Sequence, residues 1–312
     1  MKRIVKDVND DKNDKNENNG NNDNNDKNDK NDKNDKNDNN GNNETTTTKK
    51  NQQQPIMNNR PLILISNDDG FNAKGVNDLA DFVSDIGDIV IVAPDGARSG
   101  SAMSITGHSP VELKKVSDAP GRSVYSLTGT PVDCVKMALE NILDRKPDIV
   151  LGGINHGDNS SINTLYSGTM GLVMEACLKG IPAVGFSSCY CASDAPFGAL
   201  RRYIIRVVRY VLENGLPSYT CLNVNFPATE QIKGLRVRRM GHGDWQHEWQ
   251  HQVHPRGWDY YWLTGNYSSV EPESDDTDTH ALENGYACIT PIRVDMTDYE
   301  LLARLKSLEV NS

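Results

Sequence analysis

No stretch of this chain approaches the roughly 20 consecutive apolar residues that a membrane-spanning helix needs. An excess of positive charge is missing too. With 33 Lys and Arg against 43 Asp and Glu, the net charge is −10, which argues against a nucleic-acid duplex held by phosphate neutralisation. The N-terminus is charged and then Asn-rich, without the apolar core of a signal peptide. The six cysteines, Cys134, Cys177, Cys189, Cys191, Cys221 and Cys288, form no Cys-x-x-Cys pair and mostly fall inside apolar segments. They read as reduced, partly buried thiols, and the chain as a cytoplasmic protein with no membrane partner.

Residues 1–57 lack an apolar face of any period. Positions 9–43 are nearly all Asn, Asp, Lys and Gly with DKN repeated in register, followed by Thr45 to Thr48 and Gln52 to Gln54. Nothing there offsets the entropy of ordering, so a disordered low-complexity leader is expected, the alternative being an interaction or aggregation-prone tail. Residues 1–54 carry 11 basic and 12 acidic side chains, so the acidity belongs to the remainder. Residues 58–312 suit one large domain, or one domain with an appendage.

From Leu62 onward strand-like and helix-like segments alternate. Residues 62–66 and 88–95 read as buried strands, and 75–86 as a helix with Val76, Leu79, Ala80, Val83 and Ile86 on one face. Residues 101–127 carry turn signals and suggest a β excursion. Thr130 is a good N-cap, with Pro131 and Asp133 suited to the first turn of a helix running to about 143. A strand at 148–155, a helix at 166–180, a strand at IPAVGFS, a helix through Leu200 to Val211 and a strand through Leu222 to Phe226 follow. This order predicts an α/β fold, a mainly parallel sheet with helices on both faces. Residues 235–295 break the rhythm with aromatics, His and Gly, and read as a projecting hairpin arm. Residues 297–308 read as a short terminal helix.

Chemistry concentrates at three strand ends: NDDG at 67–70, DGARSGSAMS at 95–104 and GGINHGDN at 152–159. Ligands of open parallel sheets collect beyond the carboxyl ends of strands. Asp68 and Asp69 are adjacent carboxylates, which repel unless a cation or proton lies between them. Asp68, Asp69, Ser99 and Asn155 together offer oxygen-only ligation, suited to Mg²⁺ or Mn²⁺ rather than Zn²⁺. Asn-Asp and Asp-Gly are also ordinary turn formers, so NDDG alone is equally a plain turn. At YSGTMG, the residues Ser167, Gly168 and Thr169 open a helix, which is either an anion cradle or simple capping. A metal facing a phosphate cradle points to phosphoester hydrolysis.

These motifs, with LTGTPVDCV, PRGWDYYW and GYACITPIRVDMTDY in the same order, resemble the SurE survival protein family over about residues 60–307. The resemblance implies a three-layer sandwich around a Rossmann-like sheet, with a projecting β-hairpin and a C-terminal segment swapped between subunits of a homodimer or homotetramer. It implies a metal-dependent 5′-nucleotidase, a phosphatase acting on nucleoside 5′- and 3′-monophosphates, with polyphosphate as a further substrate of some members. It carries one Mg²⁺ or Mn²⁺ per subunit to Asp68, Asp69, Ser99 and Asn155, with Asp68 or Asp69 orienting the attacking water. Asn159 and the turn Ser167, Gly168 and Thr169 would lie beside the phosphate. His156 departs from the pattern, where a smaller residue is usual, and either tightens the pocket or joins proton transfer.

Other signals compete. HEWQH at 247–251 matches a zinc-protease pattern, but its Gly- and Pro-containing surroundings lack a helical stripe. Solvated or interface histidines are the better account. Trp245, Trp249, Trp258, Tyr260, Tyr261 and Trp262 gather on the arm, as subunit anchors do or as a self-contained patch. Arg98 either touches phosphate or is solvated. A dinucleotide-dependent dehydrogenase fails because NDDGFNAKG lacks Gly-x-Gly-x-x-Gly. A non-enzymatic oligomeric module that binds nucleotide or metal for regulation remains the alternative.

Overall fold

The computed structural model describes residues 60–310, so the expected leader and its boundary at 57/58 lie outside the described residues. The first strand, β1 (Leu62–Ser66), shows why the fold has three layers. Ile63 and Ile65 enter one core cluster while Leu64 enters another on the opposite face, as the two-residue strand period requires. α1 (Lys74–Val83) packs into the first cluster through Val76, Leu79, Ala80 and Val83. β2 (Asp88–Pro94), the antiparallel pair β3 (Leu113–Ala119) and β4 (Arg122–Leu127), and α2 (Pro131–Met137) follow.

α2 begins as its residues require. The Thr130 hydroxyl accepts from the Asp133 N–H at 3.1 Å, and the Asp133 carboxylate accepts from the Thr130 N–H at 2.8 Å, a reciprocal capping box. The expected single helix is shorter, passing into a π-helical turn at Ala138–Ile142. β5 (Ile149–His156) leads to a second difference. Ahead of α4 (Gly168–Leu178), the helix expected at 166–180, lies a short additional helix, α3 (Asn163–Tyr166). Ser167 between them is extended, at φ −74° and ψ 125°, and caps α4 by accepting from the Met170 N–H at 3.0 Å. β6 (Ala183–Ser188), α5 (Arg201–Asn214) and β7 (Thr220–Phe226) complete the alternation.

The main sheet runs in the order β3-β4-β2-β1-β5-β6-β7-β13-β8, with β8 (Leu235–Val237) and β13 (Ala287–Arg293) at one edge. Of its pairings only β3 with β4 and β13 with β7 are antiparallel. α1 and α5 cover one face, and α2 and α4 cover the other. The chain therefore leaves β1 toward one layer and β5 toward the opposite one, and these strands are parallel neighbours. A crevice opens between strands where connections diverge in this way.

The arm is narrower than the 235–295 read from the sequence. β8 and β13, at its two ends, belong to the main sheet: β13 pairs with β7, with Cys288 and Thr290 buried, and β8 pairs with β13. What lies between is β9 (Gly243–Gln246) paired with β12 (Asn266–Ser269), the hairpin of β10 (Trp249–Val253) and β11 (Asp259–Leu263), and α6 (Asp278–Glu283). α7 (Tyr299–Leu305) follows and buries none of its residues. No helix among the described residues is long and apolar enough to cross a membrane.

Candidate active site

The turn after β1 is built by Asn67, not by the two acids beside it. Fully buried, Asn67 donates to the Gly70 carbonyl at 3.0 Å and accepts from the Gly70 N–H at 3.2 Å. Gly70 holds φ at +104°, where a Cβ would stand 3.3 Å from the backbone of Gly96, so glycine is required there. With the turn secured by its neighbours, Asp68 and Asp69 are free to present their carboxylates. This weakens the plain-turn reading of NDDG.

Asp68 is 3 % exposed. Its Oδ1 accepts from the Thr169 hydroxyl at 2.5 Å, which ties the tip of β1 to the start of α4. Burial pushes this carboxyl up to about 6, opposed by the Thr169 hydrogen bond and reinforced by the charge of Asp69. Asp69 Oδ2 lies 3.1 Å from His156 Nδ1 at the end of β5. The His156 ring is set against Phe197, with centroids 5.1 Å apart, and its buried Nε2 has no hydrogen-bond partner among the described residues. His156 thus helps to aim Asp69 and narrows the crevice.

The second loop is pinned to the first, since the Arg98 N–H donates to the Asp68 carbonyl at 2.6 Å. Ser99 follows directly, with an exposed hydroxyl. Arg98 itself pairs with Asp95 at the surface, Nη2 to Oδ1 at 2.8 Å. From β5, Asn155 donates its amide nitrogen to the Gly157 carbonyl at 2.8 Å, which leaves its oxygen available. A buried, strongly desolvated carboxyl beside a second acid, with a hydroxyl and an amide oxygen on adjoining loops, is a donor set that fits a hard divalent cation.

The α4 N-terminus supplies the opposite polarity. Gly168 sits so close to Asp68 that a Cβ would come 2.8 Å from the Asp68 Cβ and 2.5 Å from Ser101 Oγ. The first N–H groups of a helix have no partner within it, and together with the helix dipole they favour an anion. Ser167 caps the helix, and the Thr169 hydroxyl is spent on Asp68. Asn159 is buried and tied elsewhere, its amide donating to Ser187 Oγ at 2.7 Å and its N–H to Asn225 Oδ1 at 2.8 Å. The sequence does not single out Ser101, whose buried hydroxyl lacks a partner among the described residues and faces Gly168. The Ser-x-Ser spacing from Ser99 was the only available signal.

The zinc-protease pattern finds no support in the backbone. His247 lies in a turn at φ +54° and His251 in strand β10, so the pair cannot share a helical face. His251 Nε2 is 2.7 Å from Asp259, and His254 stacks on Trp258 with centroids 3.7 Å apart. Among the described residues no cluster of three or more His, Cys, Asp or Glu residues could hold a metal; the candidate site draws half its donors from Ser and Asn.

The family model described as "Survival protein SurE" matches residues 63–247. The 5′-nucleotidase SurE of Phocaeicola vulgatus is 51 % identical over 248 residues, covering 80 % of this chain and 96 % of that protein. That of Bacteroides fragilis is also 51 % identical, over 253 residues covering 81 % and 99 % respectively. The crystal structure of the SurE protein from Aquifex aeolicus superimposes with a TM-score of 0.69 at 34 % identity, over 80 % of this chain and all of that one.

Proposed function

This chain belongs to the SurE survival protein family, and on that premise we propose how its crevice works as the site of a phosphomonoesterase. The protein is a 5′-nucleotidase, a hydrolase that releases inorganic phosphate from nucleoside monophosphates. The observation that carries the reading is the Thr169–Asp68 bond, which joins a carboxylate pair to the N-terminus of α4. Cation donors and an anion cradle are thereby held side by side.

Asp68, Asp69, Ser99 and Asn155 would hold the divalent cation, which we take to be one Mg²⁺ or Mn²⁺ per subunit. When bound, the cation supplies Lewis acidity and neutralises phosphoryl charge. The free N–H groups at Gly168 and Thr169 receive the phosphate, with Ser101 as a hydroxyl donor and Asn159 bracing the loop behind. Asp69, aimed by His156, orients the attacking water. Most of the rate gain then comes from positioning and charge stabilisation.

The exposed arm supports an oligomer. Trp249, Tyr261, Trp262 and Leu263 lie at 59–65 % exposure on β10 and β11, and Leu301, Leu302 and Leu305 of α7 are exposed as well. Large apolar patches of this kind mark association surfaces. We take the assembly to be a homodimer or homotetramer in which the hairpin and the C-terminal segment exchange between subunits. Six cysteines without a disulfide accord with a cytoplasmic location.

The test is phosphate release from AMP by the full-length protein, before and after chelation and after returning Mg²⁺ or Mn²⁺. Activity should vanish with chelator and return with the ion. Activity indifferent to chelator would count against the cation site. Absence of turnover with every nucleotide and ion would favour the regulatory module.

A further inference from the structure

A second recess opens beside the crevice, between the loop that follows His156 and the base of the arm. Its volume is about 270 Å³, close to the lower end of small-molecule pockets. It is lined by the aromatic and apolar groups of Trp245, Tyr267, Pro227 and Leu282 and by the carboxylates of Asp158 and Glu283. None of these residues belongs to the cation or phosphate machinery described above.

The aromatic wall is set in place before any ligand arrives. Trp245 Nε1 donates to Asn163 Oδ1 at 2.9 Å. Trp245 packs edge-on against Tyr267, with centroids 6.3 Å apart and planes at 70°. Tyr267 in turn is held by its hydroxyl, 2.7 Å from Ser161 Oγ. Asp158 Oδ1 is occupied by the Ser160 N–H at 3.2 Å, by the Ser160 hydroxyl and by the Asn163 amide at 3.5 Å. Its Oδ2 keeps its acceptor capacity for a ligand. A fixed indole in the same recess as a carboxylate oxygen with spare acceptor capacity suits a flat, apolar ring joined to a hydroxylated spacer.

The recess also lies at the right remove from the phosphate cradle. Asn163, the partner of Trp245, starts α3, and Ser167 stands four residues later, about 6 Å along a helix. Asp158 is two residues beyond His156, at most about 7 Å of extended chain. A ribose bridges a gap of that order.

We propose that this recess receives the nucleoside part of the substrate, the base lying against Trp245 and a ribose hydroxyl donating to Asp158. The proposal rests on the nucleotidase reading for its substrate class but is tested independently of turnover. Adenosine, which carries no phosphate, should bind the full-length protein in chelator, as measured by calorimetry. Trp245→Ala should weaken that binding by about tenfold or more, as loss of a stacking face does. Trp245→Phe keeps a face but loses the bond to Asn163, and should bind within about threefold of wild type. Asp158→Asn should weaken adenosine binding as well.

In turnover, the ratio of kcat/KM for AMP to that for glycerol phosphate should fall about tenfold in Trp245→Ala, through KM. No binding of adenosine up to about 10 mM would overturn the proposal. Equal binding by wild type and Trp245→Ala would do the same, as would an unchanged ratio. Should the nucleotidase reading itself fail, no ester would be hydrolysed, and the adenosine titration would still decide the recess.

Discussion

Asp68 gives the cation site a consequence that can be measured without substrate. Its carboxyl is pushed from an ordinary 3.8 up to about 6, chiefly by burial. Between those values the native state keeps a proton that the unfolded chain has released, so stability falls as pH rises through this window. The contribution is fully present below about pH 4 and lost above about pH 6. At about 1.4 kcal/mol per pH unit the loss amounts to roughly 3 kcal/mol. A divalent cation favours the charged carboxylate and should cancel it. The assay is denaturant unfolding of chelator-treated full-length protein from pH 4.5 to 7.5, beside Asp68→Asn. The amide keeps an oxygen for the Thr169 hydroxyl but cannot titrate, so the difference between the two proteins isolates this group from other acids. That difference should change by about 2 kcal/mol across the range, since part of the loss already lies below pH 4.5, and flatten when Mg²⁺ or Mn²⁺ is added. Parallel curves, or a slope indifferent to the ion, would refute the claim that burial and cation compete for Asp68.

Gly168→Ala forces a Cβ against Asp68 and Ser101 Oγ. Such overpacking should cost about 1–3 kcal/mol in unfolding experiments and remove most phosphate release. Asp69→Asn should abolish turnover while circular dichroism and oligomeric state stay unchanged; a fully active variant would take that residue out of the site. Thr130→Ala removes the cap of α2 and the 2.8 Å bond from its hydroxyl to the Ser104 carbonyl, and should lower stability by about 1 kcal/mol in denaturant unfolding. Replacing Trp249 and Trp262 by Ser should shift the assembly toward monomer in sedimentation velocity, and an unchanged sedimentation coefficient would leave the arm without its proposed role.

The sequence made the framework legible where local rules decide the outcome. Alternation in Leu62–Ser66, the 3–4 spacing in α1 and the Thr130–Asp133 box each act within one element, and each appears in the structure. The acids at the tip of β1 were legible for a related reason: a run of buried strand residues cannot hide two adjacent charges, so they must sit at its end. The arm misled because composition is averaged over a window. Aromatic and His-rich residues at 243–269 masked the strands on either side: β13 is buried against β7 from another part of the chain, and the short β8 joins the sheet by pairing with β13.

What a sequence cannot display is which polar group spends its hydrogen bonds on which partner, and the chemistry of this crevice turns on that allocation. Asn67 looks like a turn former equal to its neighbours, yet it alone braces Gly70 and so releases Asp68 and Asp69 for other work. Thr169 reads as a phosphate contact, yet its hydroxyl is committed to Asp68 across 101 residues of chain. Ser101 reads as loop filler, yet among the described residues its buried hydroxyl is one of three side-chain polar atoms left without a partner. Another of the three is His156 Nε2, on the ring that contacts Asp69. Buried polar atoms are normally satisfied, so two orphans flanking one carboxylate pair mark a place where protein partners have been withheld. Missing bonds of this kind exist only once the loops have come together, so no single segment of the sequence displays them.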